Sequence, residues 1–439
     1  MRWLHAALGS CVIALTACSF ISDLDPLRGS SDAGGFEAGD AAVEAAPPAT
    51  GFVLSVDPPV VISDKGDTHS ITVTVTRAVG FTDPITVALN GPPPGAGISQ
   101  QTSVIIADVA TSGPITFKVD GTETPISDKP GYMVEVRGTS NGATPFTSPP
   151  VYFGLQIGTL LANVIVGMKA NTVTVPPYAR SIDAKLWGGA GGGGSYSSSC
   201  NPSAGGIGGG GGFISAHVPV PGVGAVELEI VLGGGGATSS SCGGGGGGYS
   251  AVKAGTDFLI IAGGGGGGAR NTCNASYGST DGRSGHSTTL PAQSCGGKNA
   301  TATMGGVGAG GGGSGTEYKG GDASTNSSIP KGGLPGGGSG NFTSGGGGGG
   351  GGRWGGGAGG TGNECAAGMN PGGGGGGSGF AVTGSTAVIM TAGTGTAPGS
   401  ATDAECAGAG VGGSAGVYAS LNATAGGGGR VIVRLTKTP

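Results

Sequence analysis

The sequence predicts a mainly β protein with two folded parts in series, a β-sandwich followed by a domain in which β-strands run straight into glycine tracts. Three observations predict it. Short β-branched runs with period-two alternation recur between turn residues from Gly51 to about Gly158. Beyond that point, apolar runs of strand length lead directly into tracts such as WGGAGGGG, VLGGGG and IIAGGGGGG. No helical pattern follows any of these tracts.

Composition sets the outer bounds. A chain of 439 residues suggests about three domains. Charged residues are 10% of the chain, well below the globular average of about 25%, and the 107 glycines are nearly a quarter of it. The formal net charge is −5, with no long basic or acidic run. That gives no electrostatic footprint for nucleic acid and no polybasic patch for a membrane surface.

Residues 1–17 read as a targeting segment. Arg2 supplies the positive start, and Trp3 to Ala14 is mostly apolar but too short to span a bilayer. Leu15-Thr16-Ala17-Cys18 follows. It resembles the lipobox of bacterial lipoproteins, in which small residues precede a cysteine that is lipidated and becomes the new N-terminus. The resemblance implies a lipid anchor on Cys18, and Ser19 after it is similar to the outer-membrane pattern of Gram-negative bacteria. An ordinary signal peptide with an incidental cysteine is the competing reading. Acyl chains would hold the protein at about 0.8 kcal/mol per buried methylene. No later run is long and apolar enough for a transmembrane helix. Residues 18–50, with GSSDAGGFEAGDAAVEAAPPATG, carry too few large apolar groups to offset the entropy of ordering and are expected to form a flexible tether.

Residues 51–158 have ordinary composition. HSITVTVTR sets Ile71, Val73 and Val75 against threonines, the alternation of a half-buried strand. With GFVLSVDPPVVI, PITVALNG, TSVIIAD, GPITFKVDG, GYMVEVRG and VYFGLQIG, about seven strands are expected. The segment resembles the immunoglobulin-like sandwich domains of bacterial surface proteins, through its VTVTR, GF and PITV phrases. A carbohydrate- or protein-binding module and a spacer are the two roles such a sandwich can fill, and no cluster of aromatics or carboxylates marks a site.

Residues 159–439 pose the question of FLIIAGGGGGGAR, Phe258 to Arg270, which is a strand for half its length and then six glycines. In a linker, large apolar residues are rare and unpatterned. Here SIDAKLW alternates Ile182, Ala184 and Leu186 against Asp183, Lys185 and Trp187. AVELEIVL puts Val226, Leu228, Ile230 and Leu232 on one face, and GRVIVRL does the same with Val431, Val433 and Leu435. FLIIA is continuous, as in a strand covered on both sides. These four runs are expected to share one antiparallel sheet, with Gly263 to Gly268 continuing from the strand as a helix.

The runs TVTVPPYARSIDAKLWGGAGGGG, AVELEIVLGGGG, FLIIAGGGGGGA and GGGGRVIVRL resemble, in this order, a glycine-rich domain found in phage tail adhesins and in the extracellular region of anaplastic lymphoma kinase-type receptors. The resemblance implies bundled polyglycine II helices, and hence the full expectation of an immunoglobulin-like β-sandwich followed by a β-sheet/polyglycine II helix bundle domain. The physics agrees. This helix has three residues per turn and no internal hydrogen bonds, so its backbone groups must be satisfied by neighbouring helices, and only glycine allows such close approach.

Eight cysteines are present. Cys11 leaves with the signal segment and Cys18 takes lipid, which leaves Cys200, Cys242, Cys273, Cys295, Cys365 and Cys406. In an oxidising compartment three disulfides are expected. Six cysteines allow about 15 pairings, of which 200–242, 273–295 and 365–406 is the simplest. The chain-entropy argument gives each about 3–4 kcal/mol. There is no CxxC, and His69, His217 and His286 lack ligand spacing, so neither a metal nor a cofactor is expected. The many GxGxxG matches lack the strand–helix context, Gly297-Lys298 is followed by Asn299 rather than Ser or Thr, and the glycine tracts lack the Asp of calcium-binding repeats. No enzyme is expected. Loops between glycine helices are the place for a ligand, as in the resembling adhesins. Trp354, Tyr277 and His286 are the candidate binding residues. Trp354 can equally anchor a ligand or pack on glycine backbone. The expected role is a surface-displayed binding or adhesion protein of the outer membrane, anchored by its lipid and facing an extracellular glycan or protein. A structural envelope protein is the alternative.

Overall fold

The structure, a computed structural model, describes residues 50–100, 103–165, 172–196, 204–238, 242–270, 281–282, 284–285, 295–323, 332–341, 345–360, 371–417 and 423–438. The elements in them are all strands, and no helix among the described residues is long and apolar enough to cross a membrane. The signal segment, Cys18 and nearly all of the expected tether lie outside the described residues.

The first sandwich is built from β1 (Phe52–Asp57), β2 (Val60–Ser63), β3 (Thr68–Arg77), β4 (Ile85–Leu89), β5 (Ile98–Gln100), β6 (Val104–Ile106), β7 (Ser112–Val119), β8 (Tyr132–Ser140) and β9 (Val151–Ile157). One sheet runs β1-β3-β7-β5 and the other β2-β9-β8-β4-β6. The alternation of HSITVTVTR is realised residue by residue, with His69, Ile71, Val73 and Val75 inward. Phe52, Ile71, Ile115, Phe117, Val134 and Phe153 form the dry centre, and the Phe117 and Phe153 rings meet at 5.4 Å. Nine strands are present where about seven were expected. Pro58 and Pro59 lack the N–H that a ladder needs, so the opening run splits there and β2 crosses over to pair in parallel with β9. β5 is too short for its period to show in sequence.

The second part has β10 (Leu160–Ile165), β11 (Thr172–Val175), β12 (Ser181–Trp187), β13 (Phe213–Pro219), β14 (Val226–Val231), β15 (Ser250–Ala254), β16 (Asp257–Ala262), β17 (Phe380–Ala381), β18 (Thr386–Thr391) and β19 (Arg430–Leu435). The four apolar runs do not share one sheet. β12 and β19 lie in β10-β19-β12-β13-β18, whereas β14 and β16 lie in β11-β14-β15-β16-β17. Both sheets face one core that includes Ile182, Leu186, Ile214, Leu228, Ile260 and Val433. The alternation in each run fixes which side faces the core, but it does not say which sheet supplies the strand.

Trp187, expected on the polar face beside Asp183 and Lys185, is fully buried there. A turn-rich run over residues 399–409 folds across that face. Trp187 packs on Phe213 at 4.8 Å, with Cys406, Ala409 and Ile432 around it, and its Nε1 donates to the Gly399 carbonyl at 3.1 Å. Lys185 Nζ meets Asp403 and Glu405 carboxylates, each at 2.9 Å. This cover also corrects the expected 365–406 disulfide. Cys406 is a free thiol, 3% exposed, whose Sγ donates to the Ala409 carbonyl at 3.7 Å. The turns from Ser400 to Ala409 aim it into the tryptophan cluster. Cys242 and Cys295 are buried. Cys242 is not in a disulfide either, which corrects the expected 200–242 pairing, whereas Cys200, Cys273 and Cys365 lie outside the described residues, and so does the 273–295 pairing.

The glycines after Ala262 are buried and ordered as a lattice. Gly264 and Gly267 donate to Gly351 and Gly348, while Gly265 and Gly268 donate to Gly189 and Gly192. The carbonyls of Gly264 and Gly267 accept from Gly377 and Gly374, those of Gly265 and Gly268 from Gly247 and Gly244, and those of Gly263 and Gly266 from Gly212 and Gly209. Every step of three along this tract is answered by a step of three along its partner, which is the period of polyglycine II. The tract also abuts Gly282 and Gly285, where an added Cβ would strike the Gly266 and Gly263 carbonyls. A Cβ added to any of Gly263 to Gly268 would fall within 3.0 Å of a backbone carbonyl of an adjoining tract. The same spacing recurs next door, where Gly189, Gly192 and Ser195 donate to the carbonyls of Gly248, Gly245 and Cys242. These glycines are the core of the domain.

Candidate functional site

Trp354 sits where a glycine tract meets the outer face of the β14–β17 sheet. Its N–H donates to Ser378 Oγ at 3.0 Å, its carbonyl accepts from the Ser378 N–H at 2.9 Å, and its backbone bridges to Glu317. Glu317 and Tyr318 form a two-residue turn closed by Thr316 and Lys319, with N–H to carbonyl distances of 2.8 and 3.3 Å. Tyr318 holds φ +61°, a left-handed conformation that glycine or asparagine normally supplies at such a turn.

That backbone places the Tyr318 ring on Phe258 at 4.5 Å and 23°. Tyr249 meets Phe258 edge-on at 5.9 Å. Arg353 lies 5.2 Å from the Tyr318 ring and 5.0 Å from the Phe380 ring, donates to the Tyr318 hydroxyl, and pairs with Glu317 at 3.0 Å. Lys253 lies 5.3 Å from Phe258 and pairs with Glu229 at 3.1 Å. Burial, followed by the neighbouring Tyr318 and Glu229, pushes the Tyr249 hydroxyl above its ordinary pKa. Burial raises Tyr318 too, against the lowering effect of Arg353. The result is a cation–aromatic clasp. Trp354 stands half-buried at its rim, outside the buried apolar clusters of the described residues. Tyr277 and His286 lie outside the described residues.

A second feature lies where the first sandwich meets the glycine-rich part, both within one compact unit, Ala42–Pro439. Lys437 reaches Asp64 and Asp67 at 2.9 Å each, and the Thr438 N–H donates to the Ile62 carbonyl at 3.0 Å. The bond from Lys437 holds Asp67 below the usual carboxylate range, and its bonds to Asp67 and Asp64 hold Lys437 above the usual amine range. Beside this staple is a cleft of about 680 Å³, lined in part by Asp64, Glu123, Ile126, Leu160, Val173 and Arg434. Its size is that of a small-ligand site.

Ser, His and Asp occur along the chain in no spacing that marks a catalytic motif. The fold supplies an arrangement, because β12 and β13 pair Asp183 with His217 directly. His217 Nδ1 is 2.7 Å from Asp183 Oδ1, and its Nε2 is 3.5 Å from Ser181 Oγ. The His217 and Asp183 side chains are 37% and 48% exposed. The trio thus lies at a half-exposed position on the sheet, next to the part of that face which residues 399–409 cover. Only the strand register brings these residues together, and register is not written in residue spacing.

A family model described as a glycine-rich domain matches residues 166–388, just over half of the chain. No curated protein matches it.

Proposed function

Because this chain belongs to the glycine-rich domain family, we propose that it is a binding or adhesion module displayed at the outer membrane. In this reading a lipid on Cys18 holds it, residues 18–50 tether it, the immunoglobulin-like sandwich spaces it from the membrane, and the glycine-rich domain is the presented tip. The ligand class is an extracellular glycan or protein. One observation carries the reading, the lattice in which tracts 188–194, 206–212, 244–248, 348–351 and 374–377, with Gly282 and Gly285, lock around Gly263–Gly268. Such a scaffold is rigid, and rigid scaffolds present loops for recognition. Trp354, Tyr277 and His286 are the residues assigned to contact, and the disulfide 273–295 is assigned to brace the loops around them.

The test is binding of the purified chain to glycan arrays and to whole cells, together with the Trp354→Ala variant. Binding that falls at least tenfold in the variant supports the reading. Absence of affinity for every glycan, cell and envelope protein, with envelope integrity lost on deletion of the gene, would instead establish a structural envelope protein. Palmitate labelling that persists in Cys18→Ala would refute the anchor.

A further inference from the structure

β18 is an edge strand, and no strand of the described residues pairs with its outer side. It pairs with β13 alone. Its sequence, TAVIMT, carries no charge and no proline. Three consecutive large apolar residues are exposed, Val388 at 41%, Ile389 at 57% and Met390 at 47%. Natural edge strands are guarded by charge, proline, bulges or brevity, because their free N–H and C=O groups recruit another strand. β18 has one such guard, a bulge where the register shifts opposite Ser215 and His217, with Ala387 at φ +49°. The bulge blunts the start of the strand and leaves Val388–Thr391 flat.

We infer that β18 pairs antiparallel with β18 of a second copy, joining two five-stranded sheets into one across a twofold axis at Ile389. The free backbone edge demands a strand as partner. The side chains identify that strand as a second copy. Opposite residues of an antiparallel pair lie on the same side of the sheet, so a twofold perpendicular to the sheet must pass through a residue. With the axis at Ile389, Ile389 meets itself on one face and Val388 meets Met390 on the other. Met390 pairs with the core residue Ile214, so Val388 and Met390 from both copies would extend the existing core across the axis. No like charges meet, because the strand has none. A twofold contact that uses the same patch on both copies closes on itself and grows no fibre. This inference does not depend on the ligand reading.

The test is sedimentation equilibrium of the purified full chain, with cysteine cross-linking. The mass is expected to rise with concentration from one chain toward two. Ile389→Lys places two ammonium groups at the axis and should hold the mass at one chain, with a melting temperature equal to that of the wild type at concentrations where the wild type is itself monomeric, because residue 389 is exposed. Mixing Ile389→Lys with Ile389→Glu should restore the doubled mass. Ile389→Cys should form a covalent dimer on mild oxidation at least tenfold faster than Val223→Cys, which is 80% exposed elsewhere on the surface. A wild-type chain that stays monomeric, or equal cross-linking rates at 389 and 223, would overturn the inference.

Discussion

Consider Gly265→Ala. Gly265 donates to the Gly189 carbonyl at 2.9 Å and accepts from the Gly247 N–H at 2.7 Å. Its added Cβ would fall within 3.0 Å of the Gly209 and Gly210 carbonyls, against the 3.4 Å of ordinary contact. Those oxygens are backbone atoms with no rotamer to escape into, and Gly209 is itself bonded to Gly266. The tract must therefore shift, and at least one buried hydrogen bond breaks. Overpacking costs about 1–3 kcal/mol. A buried polar group left unpaired costs about 1–3 kcal/mol more, while the stiffer unfolded chain returns about 0.4–1 kcal/mol. The expected loss is about 3 kcal/mol, or a melting temperature lower by about 6–12 °C at about 2–4 °C per kcal/mol. Gly224→Ala is the control, since a Cβ there meets nothing within 4 Å, and it should change stability by about 0.5 kcal/mol or less. Thermal melts followed by circular dichroism and by Trp187 fluorescence decide the matter. If Gly265→Ala melts with the control, these glycines are slack and the lattice argument fails.

Three further outcomes are expected. Tyr318→Ala removes a stacked ring and a cation–π contact, each worth about 0.5–1.5 kcal/mol, yet keeps the φ of +61°; Tyr318→Gly should be more stable than Tyr318→Ala by about 1 kcal/mol in chemical unfolding, and the reverse order would contradict the strained turn. Asp67 is held below its unfolded pKa by Lys437, so its contribution is present above about pH 4 and disappears as pH falls through the lower folded value. Lys437→Ala should flatten the acid limb of the melting curve between pH 5 and pH 2 by less than about 1 kcal/mol, because the pair is about one-third exposed; an unchanged limb would show that the staple is inert. Burial raises the Cys406 thiol, so iodoacetamide at pH 8 should label it at least tenfold more slowly in the native chain than in urea, and equal rates would refute its place beside Trp187.

How much of this was legible depended on whether the signal was local. Period-two alternation named β3, β12, β14 and β19 and their inward residues, because a strand's face is decided by its own sequence. FLIIA followed by six glycines was readable as one ordered element, since strand and tract are contiguous. Sheet membership was not readable, because two facing sheets impose the same alternation. Trp187 was misplaced for a related reason: its cover comes from residues 399–409, more than two hundred positions away. The partnership of Asp183 with His217, and that of Arg353 with Tyr318 and Phe380, depends on register and on long-range return of the chain. Neither leaves a motif.

The position of β19 sets a constraint in time. It lies between β10 and β12, with Ile182 opposite Leu435. Those partners are more than 250 positions apart in the order of synthesis. Until Arg430–Leu435 emerges, β10 and β12 have no strand between them, and the shared core stays open on that side. Glycine tracts made in the interval would have to wait without their lattice, since several of their hydrogen bonds cross the same span. Gly429 donates to Gly233, and the Gly427 carbonyl accepts from Ala190. Contacts this distant close slowly. Any process that keeps the chain extended until residue 430 has passed therefore works with the order of folding, and one that compacts it earlier works against it.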